Sequence, residues 1–252
     1  MIAGIFAVAA LLLSSAGAPP AAAQSVLAAA RRQVESADYR LSGRLVRVSG
    51  NGARTSASVR IEARWFPGVL RELIEIKSPS TARAYLLLEM RPGGKSTIWI
   101  AHPGDKAPVV LAFTKWSEGP LGPGCSYEDF LEAQYLWKGQ KVLGVTKFGS
   151  RNCDELRSTP GAADRTHFAA IQSCLDPRSG FPLYVEKTLK DSGTVKEFTY
   201  FGLRQTRGVW WAHQVEAKIR GRAGSTLLII DRGTPEAHLS LHDFNLARLT
   251  HF

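Results

Sequence analysis

This sequence lacks a hydrophobic run long enough to span a membrane. Its amino-terminal apolar stretch, IAGIFAVAALLL at residues 2–13, falls short of the roughly 20 residues that a bilayer requires, which disfavours an uncleaved anchor. The stretch is followed by Ser14-Ser15 and the small-residue triplet Ala21-Ala22-Ala23, the pattern of the apolar core and cleavage site of a secretory signal peptide. Residues 1–23 are therefore expected to be removed, with Gln24 as the first mature residue. No Lys or Arg precedes the apolar run, so only the amino terminus supplies positive charge there. Cysteine is scarce, and none of the three lies near the cleavage site, the first being Cys125. The chain is thus not expected to be lipidated itself, and a soluble exported protein is the reading that results.

Acidic residues are outnumbered, 22 against 32 Lys and Arg, for a formal net charge of +10. The surplus is spread through the chain rather than held in one run, which argues against a basic arm and for a cationic surface attractive to anionic headgroups. Export, and the absence of any nucleic-acid motif, leave nucleic acid out as a partner. Catalytic signatures are missing as well. Gly93-Gly94-Lys95-Ser96-Thr97 resembles the end of a phosphate-binding loop, but that motif needs a glycine where Glu89 stands. His238 and His242 are four apart without a metal-binding Glu-x-x-His pattern around them. There is no Gly-x-Ser-x-Gly elbow. Neither a cofactor nor a metal is expected, and the chain is not expected to be an enzyme. An envelope-directed enzyme would need polar groups on its cavity face, and His213 is the one candidate that alternation places there.

What the sequence has is period-two alternation. A single helix is expected from Ser25 to about Ala37, with Val26, Ala29, Ala30 and Val34 on one stripe. After it, Val59-Arg60-Ile61-Glu62-Ala63-Arg64-Trp65 alternates apolar with charged residues, the mark of a strand with one dry and one wet face. Leu86 and Leu88 share a face within 83–91, and Val209, Trp211 and Val215 share one with His213 and Ala217. About a dozen such segments, separated by turn dipeptides such as Asn51-Gly52 and Pro67-Gly68, describe an antiparallel meander. No linker or low-complexity tract divides it, so residues 24–252 read as one domain. Ser126-Tyr127-Glu128-Asp129 opens a short helix through Gln134, with Ser126 as N-cap and Asp129 closing a capping box.

Export favours disulfides. Cys153 and Cys174 flank Thr159-Pro160-Gly161, and a hairpin centred near Ala163 would place them directly opposite each other. A bridge between them, or two buried thiols, follows; Cys125 is left unpaired. Five of the six tryptophans, Trp65, Trp99, Trp137, Trp210 and Trp211, fall in expected strands. So long a sheet with so little helix cannot cover its dry face unless it curls on itself around a cavity.

The order of elements, the segments Lys77-Ser78-Pro79, Ala84-Tyr85-Leu86-Leu87-Leu88 and Thr97-Ile98-Trp99-Ile100, the loop Gly124-Cys125-Ser126-Tyr127-Glu128-Asp129-Phe130 and the terminal Phe244-x-x-x-x-Leu249 together resemble the LolA-like periplasmic lipoprotein carriers and their outer membrane lipoprotein-sorting relatives. The resemblance implies a mainly β (α+β) fold, an unclosed antiparallel β-barrel or strongly curved sheet with a few short helices covering an acyl-chain cavity. Alternation then places Val59, Ile61, Trp65, Leu86, Leu88, Trp99, Val209, Trp211 and Val215 on the cavity wall, and Arg60, Glu62, Arg64, Gln214, Glu216 and Lys218 in water. The implied function is a monomeric, non-catalytic carrier of lipid or lipoprotein acyl chains between an inner-membrane donor and an outer-membrane acceptor. The alternative is an envelope-stress sensor of the RseB type, which pairs the same fold with a second domain that contacts a membrane protein; no such domain is expected after Phe252.

Overall fold

The computed structural model describes residues 20–94, 96–119 and 121–250; the apolar run at 2–13, and with it most of the expected signal peptide, lies outside them. The helix α1 spans Pro20–Glu35, beginning five residues before the start that periodicity indicates. Proline at a first helical position leaves no extra donor unsatisfied and presets the backbone angle. Ala30 and Val34 on its expected stripe are buried.

Thirteen strands follow: β1 (Asp38–Val48), β2 (Arg54–Phe66), β3 (Val69–Ser78), β4 (Ala84–Met90), β5 (Thr97–Ala101), β6 (Val109–Val110), β7 (Gly139–Phe148), β8 (Arg151–Thr159), β9 (Phe168–Leu175), β10 (Pro182–Leu189), β11 (Val195–Thr206), β12 (Val209–Ile219) and β13 (Ser225–Pro235). They form one antiparallel sheet in the order β6-β5-β4-β3-β2-β1-β13-β12-β11-β10-β9-β8-β7. The chain thus makes two meanders, and the pairing of β1 with β13 sews them together at the middle. The sheet does not close into a barrel, since β6 and β7 remain its two edges.

It does roll. Met90 and Ile98, from β4 and β5, share one apolar cluster with Leu156 and Leu175 from β8 and β9, near the other end of the strand order. The tips of the two halves also meet: a Cβ on Gly94, whose φ is +82°, would stand 1.7 Å from the carbonyl oxygen of Ala163, so only glycine allows this approach. Gly43 serves the seam between the meanders in the same way. It sits at the bulge in the β1–β13 register, and a Cβ there would lie 1.9 Å from Ile229 O.

Two expectations change in detail. The 126–134 helix is instead two 3-10 turns, Tyr127–Phe130 and Ala133–Leu136. The capping box of Ser126 and Asp129 is present, but Leu131 takes an extended backbone and buries its side chain, which ends the first turn. The Cys153–Cys174 disulfide is present, with Cα atoms 5.3 Å apart, yet the hairpin is centred between Asp164 and Arg165 rather than near Ala163. Cys174 faces Glu155, so the two cysteines are diagonal neighbours on one face rather than directly opposite. Cys125 is free and buried.

The outer face holds the largest correction. Glu62 does not face water; it is 1% exposed. The carboxy-terminal turns Leu241–Phe244 and Leu246–Thr250 cross the outer side of β2–β5, where Leu239, Phe244 and Leu249 bury against Leu73, Leu87 and Ala101. Glu62 beneath them accepts a bond of 2.6 Å from Arg40, is paired with Arg60, and has Arg248 at 3.7 Å. Trp99 is corrected with it. Opposite Leu87 in the register, it packs in this outer cluster and not on the cavity wall. Alternation tells which residues share a face, but not that a segment 150 residues later covers that face.

Replacing Glu62 by Gln strands those guanidinium groups beneath the segment and should cost about 1–3 kcal/mol in urea unfolding. The same change at Glu236, exposed and 3.6 Å from Arg207, should stay within about 0.5 kcal/mol. Equal effects at the two sites would contradict the carboxy-terminal lock. Removing both Cys153 and Cys174, 21 residues apart, should cost about 3 kcal/mol by the loop-entropy relation, read in the same experiment.

Candidate functional site: an apolar cavity with a buried ionic plug

The inner face of the rolled sheet encloses a cavity of about 210 Å³, an order of magnitude above the roughly 10–15 Å³ that one water needs. Its wall comes from both meanders. Tyr39, Leu41 and Leu45 of β1, Ile61 of β2 and Leu70 of β3 stand on one side; Phe198 and Tyr200 of β11, Val215 of β12 and Leu228 of β13 stand on the other. Ala30 and Val34 of α1 and Phe130, Glu132 and Tyr135 of the 126–136 segment complete it.

Of the residues expected on the wall, Ile61, Val209, Trp211 and Val215 line this cavity. Val59, Leu86 and Leu88 are on the same inner face, but buried within the packed clusters, and Trp65 packs against one of them partly exposed. For Leu86 and Leu88 the reason is α1 and the 3-10 segments, which fill the space over β3–β5 with Trp116, Leu131 and Tyr135. Over β4 and β5 the core is solid, and the open space lies over β1–β3 and β11–β13.

The segment 124–136 that fills this space is held by ions. Asp129 is buried, and two buried lysines reach it: Lys196 Nζ at 2.7 Å and Lys187 Nζ at 3.3 Å. Lys196 also donates to Ser126 Oγ at 2.8 Å and Lys187 to the Asp129 carbonyl at 3.0 Å, while the Ser126 backbone N–H donates to Asp129 Oδ2 at 2.7 Å. Burial alone would raise the Asp129 carboxyl; the two ammonium groups and the bonds from Lys196 and Ser126 outweigh it and hold the group below its ordinary range. The remaining faces of the lysines rest on aromatic rings, Lys187 4.5 Å from the Phe198 centroid and Lys196 5.7 Å from that of Phe168. A second tie comes from Glu128, which accepts the His167 backbone N–H at 3.0 Å, lies 2.8 Å from His167 Nδ1 and is bonded by the Thr166 hydroxyl.

Two further carboxyls line the cavity without such partners. Glu72, on the inner face of β3 between Leu70 and Ile74, is 8% exposed. Burial, and secondarily the charge of Glu132, push its carboxyl up to about 8. Glu132 is also raised by burial, partly offset by Lys187. Both were missed by sequence reasoning. Glu72 had a signal, since it interrupts the alternation of 71–76; Glu132 sits in an irregular segment and had none. Cys125 lines the cavity too, with its thiol pushed up to about 12 by burial and by Asp129, so it is no thiolate nucleophile. His213 does not line the cavity. Among the described residues no group of three His, Cys, Asp or Glu side chains converges on a metal-binding point, and no helix is long and apolar enough to cross a membrane.

An open, rolled antiparallel sheet whose inner cavity is capped by one helix and an ion-anchored segment is the LolA-like fold. Among solved structures, an outer membrane lipoprotein-sorting protein domain, so described, from Vibrio parahaemolyticus superposes with a TM-score of 0.79 at 19% identity, covering 90% of this chain and 99% of that one. A DUF1329 family protein from Desulfovibrio piger matches with a TM-score of 0.79 at 15% identity, and a LolA superfamily protein from Nitrosomonas europaea with 0.67 at 14%, each with the same coverage. No curated protein matches the sequence. A family model carrying the description "Uncharacterized protein" matches residues 68–251, and the chain belongs to that family.

The unpartnered Glu72 sets a pH dependence of stability. Its carboxyl holds a proton more tightly folded (about 8) than unfolded (4.5), so the penalty is absent below about pH 4.5, grows as pH rises and is complete above about 8. Glu72→Gln should therefore stabilise the fold increasingly from pH 5 to 8, by up to about 1.4 kcal/mol per pH unit, in urea titrations run at each pH. A difference between the two proteins that stays constant over that range would show the carboxyl to be ionised throughout.

Proposed function

We propose that this chain is a periplasmic, non-catalytic binding protein that carries a lipid or the acyl chain of a lipoprotein in the inner cavity, as a monomer passing between an inner-membrane donor and an outer-membrane acceptor. The observation that carries the reading is the open, aromatic- and aliphatic-walled cavity inside a rolled sheet. Burying an acyl chain there contributes about 0.8 kcal/mol per methylene without any specific polar contact. The fold shared with a lipoprotein-sorting domain and a LolA superfamily protein supports the reading. The Cys153–Cys174 bridge supports an oxidising compartment, as do the signal-like first 23 residues.

Val215→Arg places an unpaired charge on the cavity wall and should weaken binding of a fluorescent fatty-acyl probe at least about tenfold. Thr55→Arg, at an exposed site on β2, should leave binding unchanged. Circular dichroism on both variants confirms folding. Wild-type protein without saturable probe binding, or a folded Val215→Arg protein that binds normally, would remove the acyl-chain reading.

A further inference from the structure

Every buried carboxylate of the anchoring network has a partner, whereas two of the three carboxyls lining the cavity, Glu72 and Glu132, make no ion pair. Asp129 has two lysines, Glu128 has Thr166 and His167, and Glu62 has Arg40 and Arg60. Glu72 is more than nine-tenths buried, points from the apolar inner face of β3 into the cavity, and has no hydrogen bond or ion pair among the described residues. Glu132 enters the same cavity from the capping segment and likewise makes none. Glu132 is close enough to raise the cost of charging Glu72, while the charge of Lys187 offsets only part of the burial of Glu132. Unpaired carboxyls in apolar surroundings are expensive, so a fold that keeps two of them facing one empty space leaves a complementary group to be supplied from outside.

The wall also states the sign of that group. The protein carries a net charge of +10, yet no Lys, Arg or His is among the described residues lining the cavity. A phosphate or a fatty-acid carboxylate drawn inside would meet no cationic side chain on the wall and three carboxyls, Glu72, Asp129 and Glu132. Tyr39 and Tyr200, which lie within the electrostatic reach of Glu132, offer ring faces that suit a cation.

We propose that the cavity selects an amphiphile whose polar end is an amine, with Glu72 and Glu132 receiving the ammonium group while the apolar wall takes the chain. The inference deepens the acyl-chain reading and rests on it. Binding an ammonium there requires the carboxyls to ionise, so affinity should rise with pH. The other groups facing the cavity do not change over the relevant range: Tyr39, Tyr135, Tyr200 and Cys125 are all raised and stay protonated, and Asp129 is held ionised by Lys187 and Lys196.

The test uses three ten-carbon ligands, decylamine, decanol and decanoate, competing against a neutral fluorescent apolar probe. At pH 8 decylamine should displace the probe at about tenfold lower concentration than decanol or decanoate, and its advantage over decanol should shrink as the pH falls to 6. In a Glu72→Gln/Glu132→Gln double variant, which keeps the shape of both side chains, decylamine should fall to the level of decanol while decanol binds as before. Decylamine equal to decanol in the wild type at both pH values, or a preference that survives in the double variant, would overturn the inference and leave the acyl-chain reading standing. Failure of all three to displace the probe would remove both. The wild-type pH series decides the matter even without the variant.

Discussion

The buried contact of Asp129 with Lys187 and Lys196 is the constraint on which the arrangement of this protein depends. It joins an irregular segment with little secondary structure of its own to two neighbouring strands, β10 and β11, and it does so out of water. Such a site is stable only when each charge is satisfied several times over. Here Ser126, the Asp129 carbonyl and the rings of Phe168 and Phe198 supply the further contacts. Because the ions hold 124–136 in place, Leu131, Tyr135 and Trp137 can seal the space between the two meanders. Without this anchor the rolled sheet would expose the apolar face it encloses.

The two faces of the sheet solve the same problem differently. Outside, the apolar residues of β3–β5 are covered by the chain's own end, and the arginines that alternation aims at solvent become the partners of Glu62. Inside, the covering elements stop short, and over β1–β3 and β11–β13 the wall stays open. A packed core and a cavity thus share one inner surface, divided by how far α1 and the capping segment extend. Among the carboxyls lining the cavity, Asp129 is neutralised by Lys187 and Lys196, while burial raises Glu72 and Glu132, which make no ion pair.

Much of this was legible from the residues. Twelve of the strands lie where period-two patterning and turn dipeptides put them, and the capping box at Ser126 and Asp129 and the Cys153–Cys174 pairing are both present. β6 is only Val109–Val110, because the chain turns at Phe113 to bury Trp116. Alternation put Ile61, Val209, Trp211 and Val215 on the inner face, where they line the cavity, and Leu86 and Leu88 on the same face, where packed core lies against them. The reason is that a strand's pattern encodes which side is dry and says nothing of whether protein or empty space lies against it.

Local physics therefore settled the strands, their dry sides and the turns between them, since each depends on residues two to four apart. The tertiary structure alone decided that Glu62 and Trp99 lie under the carboxy-terminal segment, that Asp129 meets lysines nearly 60 and 70 residues away, and that Glu72 and Glu132 face one another's field across a cavity. Those outcomes rest on contacts between parts of the chain far apart in sequence. A charged residue in an alternating pattern reads the same whether it ends in water, in an ion pair or on a cavity wall, and only the packing of distant segments distinguishes the three.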